Sequence, residues 1–240
     1  MDAIPPDSTH APISQALSGA ERAAVYRCIF TRRDMRSQFR PDPIPDEVLA
    51  RLLRAAHHAP SVGFMQPWDF ILIRDPAVKR RIHTGFETAN AEAAAMFEGE
   101  RQAAYRALKL QGILDAPLGL CITCDRERAG KVVLGRTHQR EMDIYSAVCA
   151  VQNLWLAARA EGIGLGWVSI LSYDDLRAAL AIPETIVPIA YLCLGYASQF
   201  LPAPELETAG WRKRLPLAEL VWFDRWRGRK GDEGLLELLE

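Results

Sequence analysis

Two short basic runs stand far apart in the chain: Arg32-Arg33-Asp34-Met35-Arg36 near its start and Arg212-Lys213-Arg214 near its end. Guanidinium groups grip phosphate in bidentate fashion, so the runs either face solvent and separate acidic partners or converge on one anion. A second candidate is the loop Ser61-Val62-Gly63-Phe64-Met65-Gln66-Pro67-Trp68. Gly63 permits a turn or a close ligand approach, and Gln66 offers donors and an acceptor suited to the imide edge of a flat heterocycle. The plain alternative is a turn with a packed Trp68.

A third segment, Gly162-Ile163-Gly164-Leu165-Gly166-Trp167-Val168-Ser169, superficially matches a glycine-rich dinucleotide loop. Its glycines follow a helix and enter a strand, the reverse of the order that aims a helix N-terminus at a phosphate, so the Rossmann reading is rejected. Ser169 lacks the surroundings of a nucleophile elbow. Cys121 and Cys124 sit three apart in a strand and point to opposite faces, and no second pair completes a zinc site. His57, His58 and His138 have no ligand-spaced partners, so no metal is expected.

Positioning these residues requires alternating helices and strands. The pattern predicts helices over Glu21–Thr31, from Pro45-Asp46-Glu47 to Pro60, from Asp75-Pro76 onward, and over Asp143–Glu161, with Ser172 and Asp175 opening another. Strands are predicted over Trp68–Ile73, Leu118–Cys124, Gly164–Ile170 and Ile186–Gly195. Residues from about Thr84 to Gln111 read as helical but weakly apolar, a candidate lid. The helix Ile144–Ala160 is apolar almost all round, as a central or interface helix would be.

With 240 residues, 49% hydrophobic and 25% charged, the chain can bury a sizeable core, and the lack of repeats or linkers favours one α+β domain over two. Basic residues number 29 and acidic ones 30, which gives no general pull toward nucleic acid or an anionic membrane; any anion site is local. Five cysteines scattered through apolar runs read as reduced thiols. The first twenty residues lack a signal peptide's basic start and apolar run, and the longest apolar stretch, Ile186 to Tyr196, falls short of the roughly 18 residues of a membrane span. A cytoplasmic location with no membrane partner is expected.

Taken together, Arg32-Arg33-Asp34-Met35-Arg36, Ala59-Pro60-Ser61 with Gln66-Pro67-Trp68, Gln152-Asn153 before Gly162-Ile163-Gly164, and Arg212-Lys213-Arg214 resemble the FMN-binding nitroreductase family over nearly the whole chain. The resemblance implies a nitroreductase-like α+β fold: a central, mostly antiparallel sheet surrounded by helices, in a homodimer with flavin sites at the interface. A single domain over 1–240 follows, with an irregular arm at 1–18, the lid at about 84–111 and a C-terminal extension at 200–240. It also implies that Arg32, Arg33 and Arg36 with Arg212 and Arg214 hold the FMN phosphate, with Asp34 and Met35 among the other cofactor contacts. Ser61, Gly63, Met65, Gln66 and Pro67 would border the flavin, Arg101, Tyr105 and Arg106 would face it from the lid, and Trp211, Trp222 and Trp226 would bury against the second subunit.

Two departures narrow the match: Asp34 stands where ordinary members carry Ser, and Phe64 where they carry Asn. With Gly166-Trp167-Val168-Ser169 they are similar to the branch that destroys its flavin, converting reduced FMN and dioxygen to 5,6-dimethylbenzimidazole, the lower ligand of cobalamin, and erythrose 4-phosphate. On that resemblance Asp34 would act near the ribityl C1′ and Ser169 near the flavin N5 and C4a, as the catalytic pair. Reduced FMN would come from a separate NAD(P)H-dependent flavin reductase. Two alternatives stay open: an NAD(P)H-dependent FMN nitroreductase or flavin reductase, and a non-catalytic flavin-binding protein.

Overall fold

Four apolar runs pair into one sheet in the computed structural model, which describes residues 16–228 and 233–239; most of the expected N-terminal arm lies outside the described residues. The strands are β1 (Trp68–Ile73), β2 (Leu118–Asp125), β3 (Ile163–Val168) and β4 (Ile186–Tyr196), in the order β1-β2-β4-β3, and every neighbouring pair is antiparallel. The two central strands are buried on both faces, which is why they read as nearly unbroken apolar runs rather than alternating ones. β3 therefore forms one free edge of the sheet.

Helices cover both faces. Against one lie α2 (Asp46–His57) and α5 (Met142–Ala160), whose Leu49, Leu52, Ala147 and Leu154 pack with Cys124, Ile163 and Leu192. Against the other lie α3 (Pro76–Ala95) and α6 (Tyr173–Leu180), whose Ile82, Phe86 and Leu176 pack with Cys121, Val168 and Tyr191. Each fully buried aliphatic or aromatic side chain contributes about 1.5–3 kcal/mol. Cys121 and Cys124 thus belong to opposite cores, as the strand period requires, and burial pushes both thiols up to about 12.

Local signals set the helix starts. Ser18 and Glu21 form a reciprocal capping box on α1 (Gly19–Thr31), Asp75 accepts from the Ala77 N–H ahead of Pro76, and Ser172 accepts from the Asp175 N–H. The predicted helical stretch 84–111 is not one element: residues 84–95 continue α3 and bury Phe86, and the chain breaks before α4 (Gly99–Ala107). The lid reading is thereby narrowed to α4 and its flanks. The third strand ends at Val168 rather than Ile170, which leaves Ser169 just outside it.

Among the described residues, nothing covers two apolar surfaces. No residue of α1 is buried, and Val25, Tyr26, Ile29 and Phe30 are exposed; on α5, Tyr145 and Val148 face outward. Among the described residues no helix is long and apolar enough to cross a membrane, and no group of three or more His, Cys, Asp or Glu is placed to hold a metal. The C-terminal segment carries two short helices, α7 (Glu205–Thr208) and α8 (Glu233–Glu237).

Candidate active site

The segment Arg32–Arg36 runs along the free edge of β3. The Met35 N–H donates to the Leu165 carbonyl at 3.0 Å, and Asp34 makes a parallel bridge to Leu165. This approach needs glycine on the strand, because a Cβ at Gly166 would overlap the Met35 carbonyl oxygen. The glycine series therefore serves backbone packing.

Asp34 is held at two points. Its Oδ1 accepts from the Trp167 N–H at 2.9 Å, and its Oδ2 pairs with Arg36 Nη2 at 2.8 Å. Burial holds its carboxyl above the ordinary carboxylate range, with Arg36, the Trp167 N–H and Arg32 pulling the other way. Two residues past Trp167, the exposed Ser169 is the first residue beyond β3.

Arg32 feels charge from both basic runs. Burial is the main cause that lowers its pKa; Asp34 opposes this, and repulsion from Arg33 and Arg214 adds to it, so the late run lies within electrostatic reach of the early one. The Arg32 guanidinium stacks over Trp155 at 4.5 Å, while Trp155 Nε1 donates to the Arg33 carbonyl at 3.2 Å. Arg212 and Arg214 are exposed. The other two early arginines have protein partners: Arg36 lies between Asp34 and Glu205, the latter at 3.5 Å, and Arg33 donates to the carbonyls of Phe30, Arg32 and Pro202.

The loop after α2 is held in an unusual shape. Gly63, Phe64 and Gln66 all have left-handed φ, at 54°, 53° and 47°, a costly choice for the two residues with side chains. Ser61 Oγ accepts from the Gln66 N–H at 3.1 Å, and Ser146 Oγ of α5 accepts from the Val62 N–H at 3.0 Å. Arg128 completes the clamp, donating to the carbonyls of Gln66 at 2.9 Å and Trp68 at 2.8 Å and pairing with Asp69 at 2.6 Å. Met65 and Pro67 are buried, whereas Phe64 is 82% exposed. Trp68 is itself packed, its Nε1 donating to His57 Nδ1 at 3.1 Å.

Within one chain these two halves stand apart. Ser146, which holds the loop, and Trp155, which holds the arginine segment, lie on the same helix about 14 Å apart along its axis. On the lid, Arg101 stacks at 3.5 Å over Trp211. Tyr105 is buried and donates to Asn90 Oδ1 at 2.8 Å, and Arg106 is exposed. Trp211 packs inside its own chain, and Trp226 is 80% exposed.

Sequence reasoning missed Arg128, Glu205, Trp211's contact with the lid, and the ion pairs of Asp143. That buried carboxylate holds Arg126 at 2.9 Å and Arg136 at 2.8 Å, ordering the loop that closes over Gly63. One signal was present: an acid that opens an otherwise apolar helix needs a cationic partner.

Against known proteins, the nitroreductase family model matches residues 29–196, which span the arginine segment, the Ser61–Trp68 loop and the whole sheet. The chain belongs to the nitroreductase family. Within it, a 5,6-dimethylbenzimidazole synthase of Rhodospirillum rubrum is 46% identical over 185 residues, 77% of this chain and 87% of that protein. The synthase of Rhodobacter capsulatus is 40% identical over 195 residues, 81% and 94% of the two chains. Among solved structures, a nitroreductase-like fold is shared with oxidized iodotyrosine deiodinase bound to FMN and 3-iodo-L-tyrosine, with a TM-score of 0.65 at 18% identity over 84% of this chain and all of that one. The expected α+β architecture with an antiparallel sheet is thus borne out.

Proposed function

We propose that this chain is a 5,6-dimethylbenzimidazole synthase, which fragments reduced FMN with dioxygen to 5,6-dimethylbenzimidazole and erythrose 4-phosphate. The observation that carries the reading is Asp34: a carboxylate set inside the arginine segment and fixed to β3 at Trp167, two residues before Ser169. The identity to the two synthases supports it.

The residues present fit FMN. Repulsion from Arg214 helps lower the Arg32 pKa, and a phosphate dianion bound by both would relieve that repulsion. Arg212 would add a further cation, while Arg33, Met35 and Arg36 hold the segment in place. When bound, reduced FMN supplies both the electrons for dioxygen and the carbon skeleton of the product. Asp34 accepts or relays a proton at the ribityl end, where burial raises its pKa and so favours its taking up a proton. Ser169 offers its hydroxyl to the ring, and α4 excludes water.

The remaining ring contacts require a second copy. The strained loop with Ser61, Gly63, Met65, Gln66 and Pro67 and the arginine segment occupy opposite ends of α5, and the uncovered apolar faces of α1 and α5 suit a homodimer that brings one chain's loop to the other's arginines. A separate flavin reductase using NAD(P)H would supply reduced FMN in the cytoplasm. With such a reductase, NADH and air, flavin absorbance should disappear irreversibly only when this protein is present. Steady NAD(P)H oxidation by this protein alone, with flavin absorbance constant, would instead mark an FMN nitroreductase.

A further inference from the structure

Residues 202–214 form a strap between the early basic segment and the lid. At its start Arg33 Nη2 donates to the Pro202 carbonyl at 2.5 Å, and Gln38 Nε2 donates to the Glu205 carboxylate at 2.8 Å. At its far end Trp211 meets α4. The Arg101 guanidinium lies 3.5 Å from the indole centroid and donates to the Trp211 carbonyl at 3.4 Å, while Phe97 and Tyr105 meet the indole edge-on at 5.4 and 6.1 Å. The other ties of α4 go to the end of α3, through Gln102 to the carbonyls of Ala94 and Phe97 and through Tyr105 to Asn90. Arg212-Lys213-Arg214 follow directly on Trp211, and Arg214 is coupled to Arg32.

We infer that Trp211 is a positioning residue that couples a flavin's phosphate to closure of α4, so that the lid shuts on phosphorylated flavin and not on riboflavin. The inference rests on the flavin reading above. Without an anion, the repulsion between Arg32 and Arg214 opposes the ties that Arg33, Gln38 and Arg101 make to the strap. A phosphate between them fixes Arg212–Arg214, the adjoining Trp211 is fixed with them, and its stack with Arg101 carries that order into α4. Linkage makes the effect reciprocal: a lid held by Trp211 strengthens phosphate binding by the same factor.

The test is amide hydrogen exchange on the full chain with no ligand, with oxidised FMN and with riboflavin, in the wild type, Trp211→Leu and Trp211→Phe, alongside fluorescence titration of both flavins. In the wild type and Trp211→Phe, FMN should slow exchange over Gly99–Ala107 more than riboflavin does. In Trp211→Leu, FMN should bind about tenfold more weakly, the scale of one charge-assisted hydrogen bond, riboflavin affinity should change little, and the two flavins should protect α4 equally. A merely structural Trp211 would speed exchange in every state yet keep the difference between the flavins, which overturns the inference. Equal protection by both flavins in the wild type also overturns it. Failure of the wild type to bind either flavin overturns the flavin reading itself, and the inference with it. Should Trp211→Leu not fold by circular dichroism, Arg101→Gln, which keeps the indole, gives the same comparison.

Discussion

The Asp34 carboxylate accepts the Trp167 backbone N–H at 2.9 Å, and Trp167 stands two residues before Ser169, so the acid is anchored to the strand end that leads into the second proposed catalytic residue. At about 3.3 Å per residue, the anchor of the acid and the hydroxyl-bearing residue lie about 7 Å apart along the chain. That spacing suits groups serving the ribityl end and the ring of one flavin. Asp34→Asn keeps an acceptor for the Trp167 N–H but removes the ionisable carboxyl. Product formation should fall at least a hundredfold while FMN affinity, measured by fluorescence titration, holds within about threefold, the scale of losing one acid–base group.

The pH dependence follows from the neighbours of Asp34. Its pKa is raised by burial, so the acid limb of product formation should lie above the ordinary carboxylate range. Arg36 is the strongest influence in the opposite direction. Arg36→Gln should therefore move that limb to higher pH, because the ionised form loses its partner. A limb that stays put or moves to lower pH would separate Asp34 from the titration.

Gly166→Ala tests the contact between β3 and the arginine segment. The added methyl overlaps the Met35 carbonyl oxygen, and backbone cannot rotate away as a side chain can. Stability should drop by about 1–3 kcal/mol in urea unfolding, the usual scale of overpacking, and FMN should bind at least tenfold more weakly.

Much of this arrangement was legible in the sequence because it rests on local signals. Ser18, Asp75 and Ser172 cap helices as their types predict, and the opposed faces of Cys121 and Cys124 follow from the strand period alone. Convergence of the two basic runs on one anion was one of two open readings, since charge runs more than 170 positions apart carry no mark of their partner. Arg128 could not be found that way: it serves two carbonyls about 60 residues upstream, and any exposed arginine has the same sequence signature. The lid boundary was blurred for a related reason. Residues 84–95 and α4 are both rich in Ala, and the core contact of Phe86 depends on how α3 is docked.

Asp143 should matter for stability more than for chemistry. It is fully buried, and its two arginines order the loop over Gly63. Asp143→Ala should cost about 3 kcal/mol in chemical unfolding, the low end for breaking a buried pair because Arg126 reaches solvent. Proteolysis within residues 126–141 should accelerate in the same variant.

The cysteines supply a check on the two cores. Cys121, Cys124 and Cys193 are buried with thiols pushed up to about 12, while Cys28 and Cys149 are partly exposed. At pH 8 the native protein should show no fast reaction of the first three with a disulfide reagent, and all five should react in denaturant. Cys149 shares the outward side of α5 with Val148, so its labelling should slow as protein concentration rises and the proposed homodimer forms.

The most direct measurement is a single turnover: chemically reduced FMN, an excess of the purified protein and air, with products quantified by mass spectrometry against the flavin that remains. One 5,6-dimethylbenzimidazole should appear for each FMN lost, with a four-carbon sugar phosphate beside it and neither product in Asp34→Asn. Quantitative return of intact oxidised FMN, with no benzimidazole, would contradict the synthase reading.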